Sequence, residues 1–256
     1  ITITRIPRKI NNKVDKCLDN DIFIFIKSLV FYFIFYITLI PTSIIIILCS
    51  LILSGVTSQK IGRFWIINIL WVLKLICGIS WRVTGLENLP KKPFIMVSNH
   101  QGPWESLFLQ TLFIPTSSII KKEILLIPFF GWAISRMNPV AINRKEKFNS
   151  LKKVIRVGGE RIKSGYAVLI FPEGTRRKPQ DGIGKFGNSY GALAINEGVP
   201  VVPICHDSGK FWLNHTIQKK KGEIQIKIGE PIHESDQKIL SEKVYLWIKN
   251  SYNDIC

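Results

Sequence analysis

Acidic side chains are scarce in this chain. Eighteen Asp and Glu stand against thirty-five Lys and Arg, a formal net charge of +17 over 256 residues. Such an excess suits a protein that lies on anionic lipid or handles phosphorylated substrates. Nucleic acid is the rival partner, but no nucleic-acid-binding motif is present, so none is expected. Cysteine is also sparse: five residues, at 17, 49, 77, 205 and 256, an odd number with no C-x-x-C pair. That argues against a disulfide framework and against a zinc site. No internal repeat is found.

Charge is missing altogether from Ser28 to Gln59. A run of that length exceeds the roughly 20 apolar residues that cross about 30 Å of hydrocarbon. Its apolar core is too long for a cleavable signal peptide, and no small-residue cleavage pattern closes it. Membrane embedding is therefore expected. With Pro41 near the middle, the run reads either as one kinked, tilted span or as two half-helices in a re-entrant hairpin. A second stretch, "RFWIINILWVLKLICGISW", carries Arg63 and Lys74 and is rich in tryptophan. It reads either as an interfacial helix, with Trp65, Trp71 and Trp81 at headgroup level, or as an amphipathic core helix.

Three regions follow from these contrasts. Residues 1–20 are expected as a basic tail, 21–81 as membrane-embedded and interfacial helices, and 82–256 as an α/β domain. Beyond the turn "GLENLP", short β-type runs ("FIMVSN", "VAI", "YAVLIF", "VPVVPI", "IQIKIG") alternate with stretches of helical spacing ("ESLFLQTLF", "FNSLKKVIRVGGERIKSG", "GALAINEG"). The alternation predicts a mainly parallel central sheet flanked by helices. "KKKGE" (219–223) reads as a solvated hairpin turn.

Four stretches carry chemistry. In "VSNHQGPWES", His100 falls at the carboxyl end of an expected strand, where open α/β sheets place their ligand sites. Pro103 suits a first helical position, which puts Glu105 in the first turn. On one continuous helix residues five apart diverge by about 140°. With His100 in the loop and Glu105 in the first turn, the two side chains can meet. The carboxylate then fixes the tautomer, and the other ring nitrogen serves as a base. A plain helix cap is the competing reading for Glu105.

In "FPEGTRR", Thr175 and Arg176 present a hydroxyl and a cation suited to a phosphate. "KKEILLIPFFGW" and "VAINR" add Lys121 and Arg144 beside a run apolar enough to line a groove. "GVPVVPI" reads as a buried structural strand.

Together and in this order, the four stretches resemble the glycerolipid acyltransferase superfamily, and within it the bacterial 1-acyl-sn-glycerol-3-phosphate acyltransferases of the PlsC type. N-H-x-x-x-x-acid is matched by Asn99, His100 and Glu105. K-x-E-L…P-x-x-G is matched by Lys121, Glu123, Pro128 and Gly131, with Ile124 at the Leu position. The apolar-x-Arg element lies at Ile142 and Arg144, F-P-E-G-T-R at Phe171 to Arg176, and V-P-x-x-P at Val199, Pro200 and Pro203. The resemblance covers roughly residues 82–232. Glu105 departs from it, since the common form has aspartate.

The resemblance implies that His100, held by Glu105, deprotonates the sn-2 hydroxyl of lysophosphatidate, which attacks the thioester of acyl-ACP or acyl-CoA. Lys121, Arg144, Glu173, Gly174, Thr175 and Arg176 would hold the glycerol phosphate. No metal or bound cofactor is implied. Cytoplasmic donors place the domain on the cytoplasmic face of the inner membrane, and the positive-inside tendency then favours the hairpin for the apolar run. Glu105 leaves two alternatives open: another lysophospholipid or lipid A-type acceptor, and a non-catalytic membrane-binding protein.

Overall fold

The computed structural model describes residues 8–255, with side chains from residue 21 onward. The tail expected over 1–20 lies partly outside the described residues, and from Arg8 it is helical. It forms the start of α1 (Arg8–Cys49), which continues unbroken through Pro41. Of the two readings of the run, the single helix is the one formed, and the favoured pair of half-helices is absent. Next to Pro41, Thr38 Oγ1 donates to Ile34 O and Thr42 Oγ1 to Thr38 O, both at 2.8 Å. By bonding back one turn, these hydroxyls meet their own hydrogen-bonding need inside an apolar segment, though neither reaches Ile37 O, the carbonyl that Pro41 frees.

The chain reverses instead at residues 50–54. Ser54 caps α2 (Gly55–Cys77), its Oγ accepting from Thr57 N–H at 3.4 Å. The two helices run antiparallel: Trp65 Nε1 donates to Thr38 Oγ1 at 3.0 Å, and the Cys77 thiol lies 3.9 Å from Lys27 O. A hairpin thus exists, but between α1 and α2.

Asp21–Cys49 is long and apolar enough to cross a membrane, and only 17% of its most apolar window is buried in protein. A core helix of a soluble domain would be mostly covered. The hairpin's outer face leaves Phe23, Phe33, Ile37 and Leu48 of α1 exposed, together with Phe64, Trp71 and Leu75 of α2. An apolar face this large marks a membrane or partner surface rather than one kept in water.

The inner face of α2 packs on the α/β domain through Ile66, Ile69, Leu70 and Leu73. Buried Gln59 stitches it to the sheet, with Nε2 donating to Thr116 O and Met137 O and Oε1 accepting from Thr116 N–H, each at 2.8 Å. Trp81 is not on this helix. It belongs to β1 and packs against Trp104 and Phe108.

Seven strands form the sheet: β1 (Ile79–Thr84), β2 (Ile95–Ser98), β3 (Thr116–Lys121), β4 (Val140–Ile142), β5 (Ala167–Ile170), β6 (Val201–His206) and β7 (Gly222–Ile228). Their order is β1-β7-β6-β2-β5-β3-β4. Only the β6–β7 pair is antiparallel. Residues β2, β5 and β6 are buried on both faces and alternate between two cores, which is why they read as continuous apolar runs. Met96, Leu169, Val202 and Ile204 face α2 and α3 (Pro103–Phe108). Ile95, Val97, Val168, Ile170 and Val201 face α5 (Lys147–Lys163), α6 (Ser189–Glu197) and α7 (Gln237–Ile255). A short α4 (Phe130–Ser135) lies against α1.

"KKKGE" is not a solvated turn throughout. Lys219 is 2% exposed, its Nζ lying 3.4 Å from the Tyr32 ring centroid and 4.7 Å from that of Trp212. Its N–H donates to Ser28 Oγ at 3.0 Å, so α1 is clamped to the segment that follows β6. Cation–π contacts gain strength when shielded from water.

Gly85, which follows β1, has φ +80° and no room for a side chain: a Cβ there would sit 2.0 Å from Ile228 O. Gly165 has φ +87° with nothing within 4 Å. Gly165→Ala is expected to cost about 1 kcal/mol, the left-handed penalty alone. Gly85→Ala should cost about 3 kcal/mol, since backbone must also move. Thermal unfolding of both variants in detergent checks the order.

Candidate active site

The loop after β2 and the first turn of α3 bring His100 and Glu105 together. Pro103 is the first residue of α3 and Gly102 its N-cap. Glu105 Oε1 lies 2.9 Å from His100 Nδ1. The same oxygen accepts from Gln101 N–H at 2.7 Å and Gly102 N–H at 2.6 Å. Glu105 is thus a helix cap and a histidine partner at once, so the two readings of this residue are not exclusive.

Oε2 accepts from Ser208 Oγ at 2.7 Å. Burial alone would raise the Glu105 carboxyl, but its hydrogen bonds to His100 and Ser208 help hold it down at about 2. It is therefore an acceptor at any physiological pH, which makes Nδ1 of His100 the protonated nitrogen. Nε2 is left for the cleft that His100 lines. The ring is stacked on Phe171, centroids 4.2 Å apart and planes 18° apart.

Behind this dyad, Asn99 and His206 form a reciprocal bracket. Asn99 Nδ2 donates to His206 O at 2.8 Å, and His206 N–H donates to Asn99 Oδ1 at 3.1 Å. The His206 ring bridges Asn99 O at 2.9 Å and Ser208 N–H at 3.3 Å. Only the Nε2–H tautomer satisfies both contacts, and burial pushes His206 toward the neutral form. Asn99 therefore ties the end of β2 to the end of β6.

His100 opens on a cleft of about 870 Å³ whose lining includes Lys121, Arg144, Thr175, Arg176, Ile127 and Phe130. Arg144 reaches it from the loop after β4 and donates to Gly174 O. Arg176 donates to Asn214 Oδ1 at 2.9 Å. Burial first, and then the charge of Arg176, disfavour the Arg144 guanidinium, with Glu123 a partial counterweight. Lys121 pairs loosely with Glu123 at 4.0 Å. Two guanidiniums set against each other in a half-buried cleft make a site for an anion. The apolar wall beside them suits a hydrocarbon.

Two residues expected to hold substrate do not face the cleft. Glu173 Oε1 accepts from His100 N–H at 3.1 Å, and Oε2 accepts from Gly184 N–H at 3.2 Å and pairs with Arg177 at 3.6 Å. It braces the backbone of His100; a carboxylate would in any case repel a phosphate. Gly174 offers its carbonyl to Arg144.

Other contributors lay outside the sequence reading. Arg177 N–H donates to His100 O at 2.8 Å. Ser208, His206 and Asn214 come from segments with no motif of their own. Their only sequence signal is position just after an expected strand, where sites collect.

The comparisons agree with this architecture. The acyltransferase family model matches residues 80–207. That stretch, ending at Asp207, contains the dyad and both arginines, and the chain belongs to this family. It is 40% identical to the 1-acyl-sn-glycerol-3-phosphate acyltransferase of Pseudomonas aeruginosa, over 75% of this chain and 76% of that one. It is 36% identical to a chloroplastic 1-acyl-sn-glycerol-3-phosphate acyltransferase of Arabidopsis thaliana, over 62% of this chain and 45% of that longer one. In fold it is similar to the crystal structure of the 1-acyl-sn-glycerophosphate acyltransferase PlsC from Thermotoga maritima. The TM-score is 0.74 at 24% identity, covering 90% of this chain and 95% of that one.

Burial raises the Glu173 carboxyl to about 7, against the pull of the His100 and Gly184 N–H groups and Arg177. A carboxyl raised above its unfolded value binds its proton more tightly in the folded state. Its stabilising share is present below the unfolded value of about 4.5 and is lost as pH rises through 7. Glu173→Gln removes that slope. The melting temperature of the wild type relative to the variant should therefore fall between pH 5 and pH 7.5, as measured by scanning fluorimetry.

Proposed function

We propose that this enzyme transfers a fatty acyl group from acyl-ACP or acyl-CoA to the sn-2 hydroxyl of 1-acyl-sn-glycerol-3-phosphate, forming phosphatidate. The observation that carries this reading is one cleft that joins the His100–Glu105 dyad to the Arg144–Arg176 pair. The names of the relatives above point the same way.

His100 Nε2 takes the hydroxyl proton as the oxygen attacks the thioester carbonyl, and Glu105 stabilises the imidazolium that forms. The C–S bond then breaks, and the thiolate leaves with the proton from His100. The thioester is already activated, so the step as written uses no metal or bound cofactor. Arg144 and Arg176 grip the phosphate, with Thr175 and Lys121 beside them. The apolar wall at Ile127 and Phe130 borders the acyl chain.

Both acceptor and product are lipids, and the exposed face of α1 and α2 seats the enzyme in the bilayer that supplies them. The cytoplasmic origin of the donors places the site on the cytoplasmic side of the inner membrane. With Glu105 in contact with His100, its extra methylene no longer favours a non-catalytic role.

Purified protein in mixed micelles should convert lysophosphatidate and an acyl donor to phosphatidate. His100→Ala should lower kcat by about 10²- to 10⁴-fold; an undiminished rate removes His100 as the base. Glu105→Gln should cost more than Glu105→Asp, because the amide loses the charge that stabilises the imidazolium. Arg176→Ala should raise the KM for lysophosphatidate by about tenfold with little change in kcat.

A further inference from the structure

Ser208 is a buried hydroxyl that the proposed reaction does not use. It opens the 3-10 turn Ser208–Lys210 after β6 and has no exposure to solvent. Its Oγ donates to Glu105 Oε2, whereas His100, Gln101 and Gly102 all converge on Oε1. Among the described residues, Ser208 is the one hydrogen-bond partner of Oε2.

The geometry explains why a second grip is needed. Glutamate has one more rotatable bond than aspartate, so a carboxylate held at Oε1 alone can still pivot about that oxygen as its longer stem shifts. Such a pivot swings the lone pair that meets His100 Nδ1 off line. A donor on Oε2 stops it. The donor itself is well fixed: Ser208 N–H is held by the His206 ring, and Gly209 N–H donates to Gln101 Oε1 at 3.0 Å. We propose that Ser208 is a positioning residue that holds the longer Glu105 carboxylate in the orientation His100 requires. It acts through Glu105 and does not touch substrate.

Aspartate is shorter by one carbon–carbon bond, about 1.5 Å. It cannot span His100 and Ser208 together. The serine therefore matters with glutamate at 105 and loses its leverage with aspartate there.

This inference rests on the proposed acyl transfer, so it is tested by kinetics and by a readout that needs no substrate. Ser208→Ala keeps the backbone contact to His206 and removes only the hydroxyl. It should lower kcat by about 10- to 100-fold, the loss of one hydrogen bond to a charged group, with KM for both substrates within about twofold. Ser208→Thr should restore most of the rate, and Ser208→Cys, a weaker donor, should fall between. Added to Glu105→Asp, Ser208→Ala should cost less than about threefold.

In protein labelled with ¹⁵N-histidine, the Nδ1–H proton of His100 should be downfield and slow to exchange in the wild type and in Ser208→Thr. In Ser208→Ala it should be lost to exchange. Full kcat in a folded Ser208→Ala, or an equal loss in both backgrounds at 105, overturns the proposal. If the wild type acylates no lysophosphatidate, the functional reading fails, while the His100 signal still decides the role of Ser208.

Discussion

Taking the Glu105 carboxylate fully out of water leaves its charge dependent on donors from two distant parts of the chain. The turn 100–102 supplies three of them, and the segment after β6 supplies Ser208. Leaving a buried charge short of one hydrogen bond costs about 1.5–3 kcal/mol, so the two segments are held in a single arrangement. The Asn99–His206 bracket repeats that bond at the strand ends, and Glu173 holds the His100 backbone from a third side. His100 can therefore present one nitrogen, in one tautomer, to one cleft.

What the cleft can accept follows from the surroundings of that nitrogen. Arg144 and Arg176 are brought together by loops after β4 and β5, and the proposed phosphate between them would relieve their mutual repulsion. The hydrocarbon side of the problem is met by the α1–α2 hairpin, whose outer face is apolar and whose inner face is part of the domain core. Lys219, boxed by Tyr32 and Trp212, joins α1 to the wall that carries Leu213 and Asn214. The element that meets the lipid and the wall of the site are thus mechanically one piece.

Much of this was legible in the residues, and the misses have physical causes. The five β-type runs became β2, β4, β5, β6 and β7: β2, β5 and β6 read as apolar runs because both their faces are buried, and β7 because its apolar residues alternate. β1 and β3 were missed: "ISWRVT" and "TSSIIK" are partly polar, and pairing defines them. α7 also escaped notice. Pro41 misled because a proline removes one N–H without necessarily ending a long apolar helix, and α1 carries it unbroken. The His100–Glu105 contact was readable, since Pro103 dictates where the helix starts. Glu173 was misassigned because a motif tells which residues recur, not which way a side chain turns. Ser208 and His206 were invisible for another reason. Their partners lie more than a hundred residues away, and no local spacing encodes such a contact.

The most direct test of the account compares lysophosphatidate with monoacylglycerol of the same chain as acceptors under one acyl donor. Two guanidinium contacts to the phosphate predict a preference for lysophosphatidate of at least about 100-fold in kcat/KM. The preference should collapse in Arg144→Ala/Arg176→Ala. Equal use of the two acceptors by the wild-type enzyme would contradict it.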